Sequence, residues 1–266
     1  MDQLLSGSGL FPPRLLDDSW LTEQERLMIE DLERVLAETG TAATMARDMM
    51  TLRIYDVDVR IICDDSGSMR GQMLPGAWDR QWTREQIQQV FGKRAFSHDS
   101  AGAFSACPFG PSEQRWTLLV DAVKRWEKVF KVLDVRRKLY LLNGQTYSEG
   151  TVESVLSRGP CGGTPMGRKF SDVLREFQQE GSGRPLLILA LTDGEANDKD
   201  LFNQVLDKIQ DGVYGDVQVC LMGLSLEAED IEWFEDEECD DTRIRTIEAW
   251  EVEQQQILWR KVIRLA

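Results

Sequence analysis

Apolar runs recur along the chain at lengths that suit strands buried on both faces of a sheet. Three are strong, at residues 57–63, 186–191 and 217–224, and a weaker one covers residues 138–142. A strand covered on one face alternates apolar and polar residues, whereas a strand inside a parallel sheet is apolar almost throughout. The runs therefore predict the strands of a mostly parallel sheet.

Between these runs, apolar residues recur every three or four positions, which is the spacing of an amphipathic helix. Three such stretches cover residues 119–133, 166–177 and 201–209. This alternation predicts an α/β fold with an open, mostly parallel, doubly wound sheet, flanked by helices and joined by right-handed crossovers. Ligands bind at the carboxyl ends of the strands in such sheets, so functional residues are expected just after residues 63, 191 and 224.

Residues 1–50 predict a helical extension in front of this fold. After an irregular start that contains glycine and proline, Thr22 and Glu25 have the spacing of a capping box, which marks a helix N-terminus. Apolar residues then fall on one helical face between Met28 and Leu36, and a second short helix is expected over residues 41–50. The remaining residues, 51–266, are assigned to the main domain.

A long insertion follows the first strand, at about residues 70–116. It contains aromatic residues such as Trp78 and Trp82, and its six bases against four acids give a local charge of +2. Loops longer than about 15 residues are usually functional or disordered, and the aromatic content argues against full disorder. Two interpretations stay open: a cap whose aromatic and arginine side chains bind a partner, and an insertion that packs on the domain.

The net charge of −15 over 266 residues disfavours nucleic acid and anionic membrane as partners, because basic patches bind both. The acidic excess is greatest over residues 227–241, where ten acids occur without a base. This stretch lacks the D-x-D-x-D-G spacing of a calcium loop. A solvated acidic face is therefore favoured over a second ion site.

The composition also bears on where the protein works. No apolar run approaches the roughly 20 residues that a membrane-spanning helix needs, and the N-terminus lacks the features of a signal peptide. The five cysteines are odd in number and widely spaced, and no CxxC pair occurs. We expect reduced thiols, no membrane association and a cytoplasmic location.

Short oxygen-bearing side chains stand at the predicted strand ends. Asp64, Ser66 and Ser68 form a D-x-S-x-S motif after the first strand, Asp193 follows the strand at 186–191, and Thr164 precedes a helix. Mg²⁺ prefers octahedral oxygen coordination and usually keeps some of its water. Because only two of these five side chains are carboxylates, a bound ion would stay electron-poor and accept an anionic oxygen from outside.

Glycine and proline surround these candidate ligands. Gly67 is expected to permit the tight loop that turns both serines toward one point. The glycine-rich segment at residues 159–163 is expected to be a flexible lead into Thr164, and Pro165 can occupy the first turn of the following helix.

The five residues resemble the metal-ion-dependent adhesion site of the von Willebrand factor A family. The family pattern is a D-x-S-x-S loop, a later threonine and a later aspartate, and the chain matches it in order at Asp64, Ser66, Ser68, Thr164 and Asp193. The resemblance covers about residues 53–225, although the strand after Arg136 and the stretch 144–160 fit less well. It implies a von Willebrand factor A-like domain over residues 51–266.

The resemblance also implies a ligand and a role. In the family the serines bind the metal directly, the aspartates often act through water, and an Asp or Glu of a protein partner completes the metal shell. It thus implies a protein-binding module that holds one Mg²⁺, with Mn²⁺ or Ca²⁺ as alternative ions. The alternative function is a scaffold or regulatory subunit of an ATPase-linked or multiprotein assembly, as some intracellular members of the family are.

A metal-dependent hydrolase is the weaker third interpretation. A phosphatase of the haloacid dehalogenase type needs an acid where Ser66 stands. Serine hydrolysis needs a base, and the only histidine, His98, lies in an expected loop, with no G-x-S-x-G elbow around either serine. We therefore expect a binding protein and not an enzyme.

Overall fold

The computed structural model describes residues 21–38, 46–70, 115–144, 146–147, 156, 159–194, 196–224 and 243–248. Within these ranges the elements are as follows. The helices are α1 (Glu23–Glu38), α2 (Ala46–Ile54), α3 (Arg115–Leu133), α4 (Met166–Glu180) and α5 (Lys199–Gln210), and a short 3-10 helix covers Gly67–Arg70. The strands are β1 (Asp58–Cys63), β2 (Arg137–Leu141), β3 (Thr146–Tyr147), β4 (Leu186–Thr192), β5 (Val217–Gly223) and β6 (Ile244–Glu248).

The described strands form one sheet in the order β3-β2-β1-β4-β5-β6. The pairs β1–β2, β1–β4, β4–β5 and β5–β6 are parallel, and the two-residue strand β3 adds an antiparallel edge. The predicted α/β class and mostly parallel sheet are confirmed. Strands β1 and β4 are adjacent although α3, β2 and α4 separate them in sequence, so their carboxyl ends meet at the centre of one sheet edge.

Helices cover both faces of the sheet, and each face has its own apolar core. On one face, α1, α2 and α3 pack against alternate residues of β1 and β4, such as Ile61 and Leu189. On the other face, α4 and α5 pack against the intervening residues, such as Ile62 and Ile188. Every residue of β1 and β4 is buried, which explains why β4 is apolar almost throughout and why β1 is apolar over residues 61–63.

The first helix begins with the predicted capping box. The Thr22 backbone N–H donates to Glu25 Oε2 at 2.7 Å, and the Glu25 N–H donates to Thr22 Oγ1 at 3.2 Å. The predicted apolar face is buried from Ile29 to Leu36 and lies in the same core as the sheet. Helix α1 therefore packs onto the domain, mainly against α3, and does not project from it.

Strand β1 also contains two buried charged residues, which lie within the run at residues 57–63. Asp58 accepts from Arg136 Nε at 2.7 Å, and Arg60, which is 2% exposed, donates from Nη2 to Glu180 Oε2 at 2.7 Å. A buried charge without a partner is strongly destabilising, so these pairs make the positions tolerable. Each partner comes from a different element of the chain.

Several predictions concern residues outside the described ranges. These are the insertion at residues 70–116 except for its ends, the acidic stretch 227–241, the irregular residues 1–20, and the first residues of the second predicted helix. In the part of the chain that is described, no helix has the length and apolar character needed to cross a bilayer.

Three of the five cysteines lie in the described ranges, and all three are free thiols. Cys63 and Cys220 are buried in β1 and β5, whereas Cys161 is exposed in the loop before α4. Burial raises the pKa of Cys63 well above its ordinary value and the pKa of Cys220 to about 12. Thiolates are the reactive form, so these two thiols should be inert in the folded protein.

We expect a thiol reagent to distinguish these cysteines. In native protein, Cys161→Ser should remove one rapidly reacting thiol, while Cys63→Ser and Cys220→Ser should leave the rapid phase unchanged. After denaturation without reductant, titration of the wild-type protein should give five free thiols. A count of three or one would reveal disulfides and contradict the prediction of reduced cysteines.

Candidate functional site

The predicted metal ligands lie at the carboxyl-terminal edge of the sheet. Asp64 directly follows β1, and its backbone N–H donates to Leu191 O of β4 at 2.9 Å. Asp193 follows β4 directly. Both aspartates, together with Ser66 and Thr164, are buried, and Ser68 is exposed. The arrangement therefore presents one exposed hydroxyl above two buried carboxylates.

Three of the predicted ligands form a continuous chain of hydrogen bonds. Ser66 Oγ lies 2.8 Å from Ser68 Oγ, and Ser68 Oγ donates to Asp193 Oδ1 at 2.9 Å. Ser68 and Asp193 are 125 residues apart in sequence. The adjacency of β1 and β4 thus brings the D-x-S-x-S motif and the second aspartate together, as the strand-end argument predicts.

Asp64 is held in place beside this chain. Its Oδ1 accepts from the Ser66 backbone N–H at 2.8 Å, and its Oδ2 accepts from Thr192 Oγ1 at 2.6 Å. Burial raises the pKa of Asp64 from 3.8 to about 6, against the lowering effect of these hydrogen bonds, and the charge of Asp193 raises it further. Two carboxylates at this edge therefore repel each other in a site with little access to water.

An arginine that the motif does not predict also enters the site. Arg115, the first residue of α3, donates from Nη1 to Asp193 Oδ2 at 2.9 Å. The side chains are 9% and 0% exposed, so this is a buried ion pair. Both oxygens of Asp193 are consequently engaged, one by Ser68 and the other by Arg115.

The glycine-rich segment before Thr164 is fixed by hydrogen bonds rather than left as a flexible lead. The Gly67 N–H donates to Gly162 O at 3.0 Å, and the Cys161 N–H donates to Asp65 O. Gly162 has φ of +99°, and a Cβ there would lie 2.7 Å from the side chain of Asn143. The positive φ favours glycine at this position, and a Cβ there would also displace the Asn143 amide that donates to Gly163 O.

The expectation for Gly67 is wrong in its detail. Gly67 is not among the glycines with positive φ, and a Cβ there would meet only Gly162 O at 3.6 Å, an ordinary contact distance. The turn through the two serines is made by the 3-10 helix that begins at Gly67. Of the two glycines, the one with a positive φ and a crowded Cβ position is Gly162, which lies against the side chain of Asn143.

Asp65 links the D-x-S-x-S loop to its neighbours. It is 4% exposed, and its Oδ1 accepts from both the backbone N–H and the side-chain amide of Asn143, at 2.8 and 3.1 Å. The same Asn143 amide donates to Gly163 O at 2.7 Å. Asp65 and Asn143 therefore position the loop that carries Thr164, and the sequence motif does not single out either of them.

Thr164 is also held from the other side, by the loop that follows β4. Its backbone N–H donates to Asn197 Oδ1, and its carbonyl accepts from the Asn197 N–H at 2.9 Å. The adjacent Asp198 accepts from the N–H groups of Gly167 and Arg168 at 3.0 and 2.8 Å. Pro165, expected in the first turn of α4, is instead its N-cap residue and makes no side-chain cap, so Asp198 caps the helix from a different element.

The donor set suits a hard divalent cation. Two carboxylates and two serine hydroxyls lie within one hydrogen-bonded cluster, and oxygen ligands are what Mg²⁺ and Ca²⁺ take. Thr164 is buried at the same edge, on a loop bonded to the D-x-S-x-S loop. In the described ranges, no group of three or more His, Cys, Asp or Glu side chains could hold a metal, so an ion held here would need hydroxyl ligands as well.

The residues that the sequence argument missed are those that act through contacts between loops. Arg115, Asn143, Asn197 and Asp198 each stand in a polar sequence context without a recognisable motif. Only Asp198 carries a local signal, because an aspartate before a helix is a common N-cap, and it caps a helix other than its own. No family model matches the chain, and no curated protein matches it either.

Proposed function

We propose that this chain is a von Willebrand factor A-type domain that binds one Mg²⁺ at a metal-ion-dependent adhesion site and uses it to hold a protein partner. The observation that carries the proposal is the hydrogen-bonded chain from Ser66 through Ser68 to Asp193, beside Asp64, at the carboxyl ends of two adjacent parallel strands. Ligand sites of open α/β sheets lie at this position.

Each residue has a distinct part in the proposed site. Ser66, Ser68 and Thr164 are proposed as neutral ligands, and Asp64 and Asp193 as the charged residues that hold the ion directly or through water. The bound ion would supply an electrophilic centre for a carboxylate oxygen. Ser68 is the exposed member of the set, so we place the partner's Asp or Glu on its side of the ion.

Binding is favoured over the two alternative functions. A docking subunit of a larger assembly would use a free surface of the N-terminal extension, and in the described part of that extension the apolar face of α1 packs in the core. A hydrolase would need a general base besides the proposed ligands, and the described side chains that bond to those ligands include Thr192, Asn197 and Arg115, none of which is a usual base at neutral pH.

The proposal also covers the insertion and the cellular location of the protein. We propose that the insertion at residues 70–116 borders the site, because its last residue but one, Arg115, contacts Asp193. We also propose a cytoplasmic location, since three described cysteines are free thiols and two of them lie in central strands.

Isothermal titration with Mg²⁺ tests the metal site. We expect one ion per chain, and loss of binding in Ser66→Ala and Ser68→Ala, because each removes a neutral ligand without changing charge. Ser182→Ala is the matched control, since Ser182 Oγ contacts Asp58 at the opposite edge of the sheet. Wild-type protein that binds no Mg²⁺, or alanine variants that bind it as well as the control does, would overturn the assignment.

A pull-down with the full chain as bait tests the partner. We expect retention of a partner in Mg²⁺ and its loss in EDTA, with the same loss in Ser68→Ala when Mg²⁺ is present. Retention that is equal in Mg²⁺ and EDTA would leave the metal site without its proposed role.

A further inference from the structure

The ion pair between Arg115 and Asp193 stands in an unfavourable position for an arginine. Arg115 is the first residue of α3, where the helix dipole disfavours a positive charge. Its side chain is also 9% exposed, so the guanidinium has lost most of its hydration. Contact with Asp193 at 2.9 Å offsets both costs, which indicates that the carboxylate holds the arginine there.

The same contact occupies the carboxylate that a metal ion would use. Asp193 accepts from Arg115 at Oδ2 and from Ser68 at Oδ1, so no oxygen of this carboxylate is left without a donor. A divalent ion at the Ser66–Ser68–Asp193 cluster would lie close to the guanidinium. The two cations would repel each other and compete for one carboxylate.

We propose that Arg115 is a built-in counter-cation for Asp193, which neutralises this carboxylate when no metal is bound and thereby weakens the affinity of the site for divalent ions. The inference rests on the proposed function and deepens it. A site with two buried carboxylates and no cation would repel itself in the metal-free protein. Arg115 relieves this repulsion and at the same time lowers the affinity of the site for metal.

Two substitutions separate the charge of Arg115 from its hydrogen bond. Arg115→Gln removes the charge and keeps a donor for Asp193, so we expect Mg²⁺ affinity to rise about tenfold, as removal of a unit charge beside the ion implies. The melting temperature in EDTA should fall, because Asp193 loses its counter-ion, and excess Mg²⁺ should restore it. Arg115→Lys keeps the charge and should bind Mg²⁺ with nearly wild-type affinity.

Arg137→Gln is the matched control for this experiment. Arg137 also pairs with a carboxylate, Glu127 of α3, at 2.7 to 2.9 Å, but it lies at the start of β2, away from the candidate site. This variant should lose some stability equally in EDTA and Mg²⁺, and its Mg²⁺ affinity should match that of the wild-type protein.

The outcomes distinguish this inference from the proposed function. If wild-type protein and Arg115→Gln both bind no Mg²⁺ by titration, the metal site itself is wrong. If wild-type protein binds one Mg²⁺ and Arg115→Gln binds it equally or more weakly, the metal site stands and the counter-cation role is overturned. Equal affinities in Arg115→Gln and Arg115→Lys would also overturn it.

A second measurement does not depend on whether the Arg115→Gln variant folds. The side-chain Nε–Hε signal of Arg115 in wild-type protein, assigned by its absence in Arg115→Lys, should shift on Mg²⁺ titration with the same midpoint as the calorimetric binding. Other arginine Nε–Hε signals, such as that of Arg137, should not shift. An unchanged Arg115 signal in the metal-saturated protein would show that the ion pair is indifferent to metal and would overturn the proposal.

Discussion

Replacing Asp64 with asparagine is expected to abolish Mg²⁺ binding and, at the same time, to stabilise the metal-free protein at neutral pH. Asp64 is 0% exposed, and burial raises its pKa from 3.8 to about 6. At pH 7.5 its charged form is nevertheless present in the folded state. With about 1.4 kcal/mol for each unit of pKa, this charge lowers the free energy of unfolding by about 2 to 3 kcal/mol.

The pH dependence has a definite sign. A raised carboxyl pKa means that the folded state holds the proton more tightly than the unfolded state does. The free energy of unfolding of wild-type protein in EDTA should therefore fall, through this residue, as the pH rises from about 4 to about 6, and stay lower above that range. Asp64→Asn lacks this fall, so the difference in the free energy of unfolding between the variant and the wild-type protein should increase with pH.

Asparagine also suits the hydrogen bonds around this position. A side-chain carbonyl can accept from the Ser66 N–H in place of Oδ1. Thr192 Oγ1, which donates to Asp64 Oδ2, also lies 3.1 Å from Gly194 O, so it can donate there and accept from the amide. The substitution therefore removes the charge while both of these hydrogen bonds can be kept.

Urea unfolding in EDTA at pH 4.5 and 7.5 measures this effect, with Mg²⁺ titration as the second readout. Asp58→Asn is the control, because Asp58 is equally buried in β1 but is paired with Arg136 at the opposite end of the strand. We expect it to lower stability and to leave Mg²⁺ binding intact. Loss of stability in Asp64→Asn at pH 7.5 in EDTA would contradict the argument from burial.

The second large effect is expected for Gly167→Ala, which should destabilise the protein although alanine is the better helix former. A Cβ at Gly167 would lie 2.5 Å from Phe202 N and 2.8 Å from Leu201 C, both backbone atoms of α5. Helix propensity favours alanine by about 1 kcal/mol, whereas overpacking typically costs about 1 to 3 kcal/mol. Because backbone atoms cannot rotate away, we place the overpacking cost at about 3 kcal/mol, which leaves a net loss of about 2 kcal/mol.

The same substitution should weaken the candidate site. Separation of α4 from α5 would strain the bonds by which Asp198 caps α4 and Asn197 holds Thr164. We therefore expect a fall in Mg²⁺ affinity together with the fall in melting temperature. Gly194→Ala is the control, since a Cβ there would meet no atom within 4 Å and Gly194 has no positive φ. Equal stability of the two variants would contradict the proposed packing of α4 on α5.

The pattern of apolar residues is enough to predict the main strands of the central sheet and the position of the candidate ligands. Apolar runs identified β1, β4 and β5, and even the weaker run at residues 138–142 corresponds to β2. Burial on both faces removes the polar residues from a strand, so this signal is local in the sequence. Chain direction then fixes which end of each parallel strand carries the following loop, and hence the common edge of Asp64 and Asp193.

The partners of the buried charges and the contacts that hold the loops cannot be predicted from local patterns, because they join residues that are distant in the sequence. Arg60 meets Glu180 120 residues away, and Arg115 meets Asp193 78 residues away. Strand β6, Ile244–Glu248, lies at one edge of the sheet, and three of its five residues are polar, so no apolar run marks it. An apolar residue is stabilised by leaving water, whatever apolar group it then contacts, so a local pattern in the sequence predicts its burial. A buried charge needs one particular partner at about 3 Å, and that partner comes close only when the chain folds.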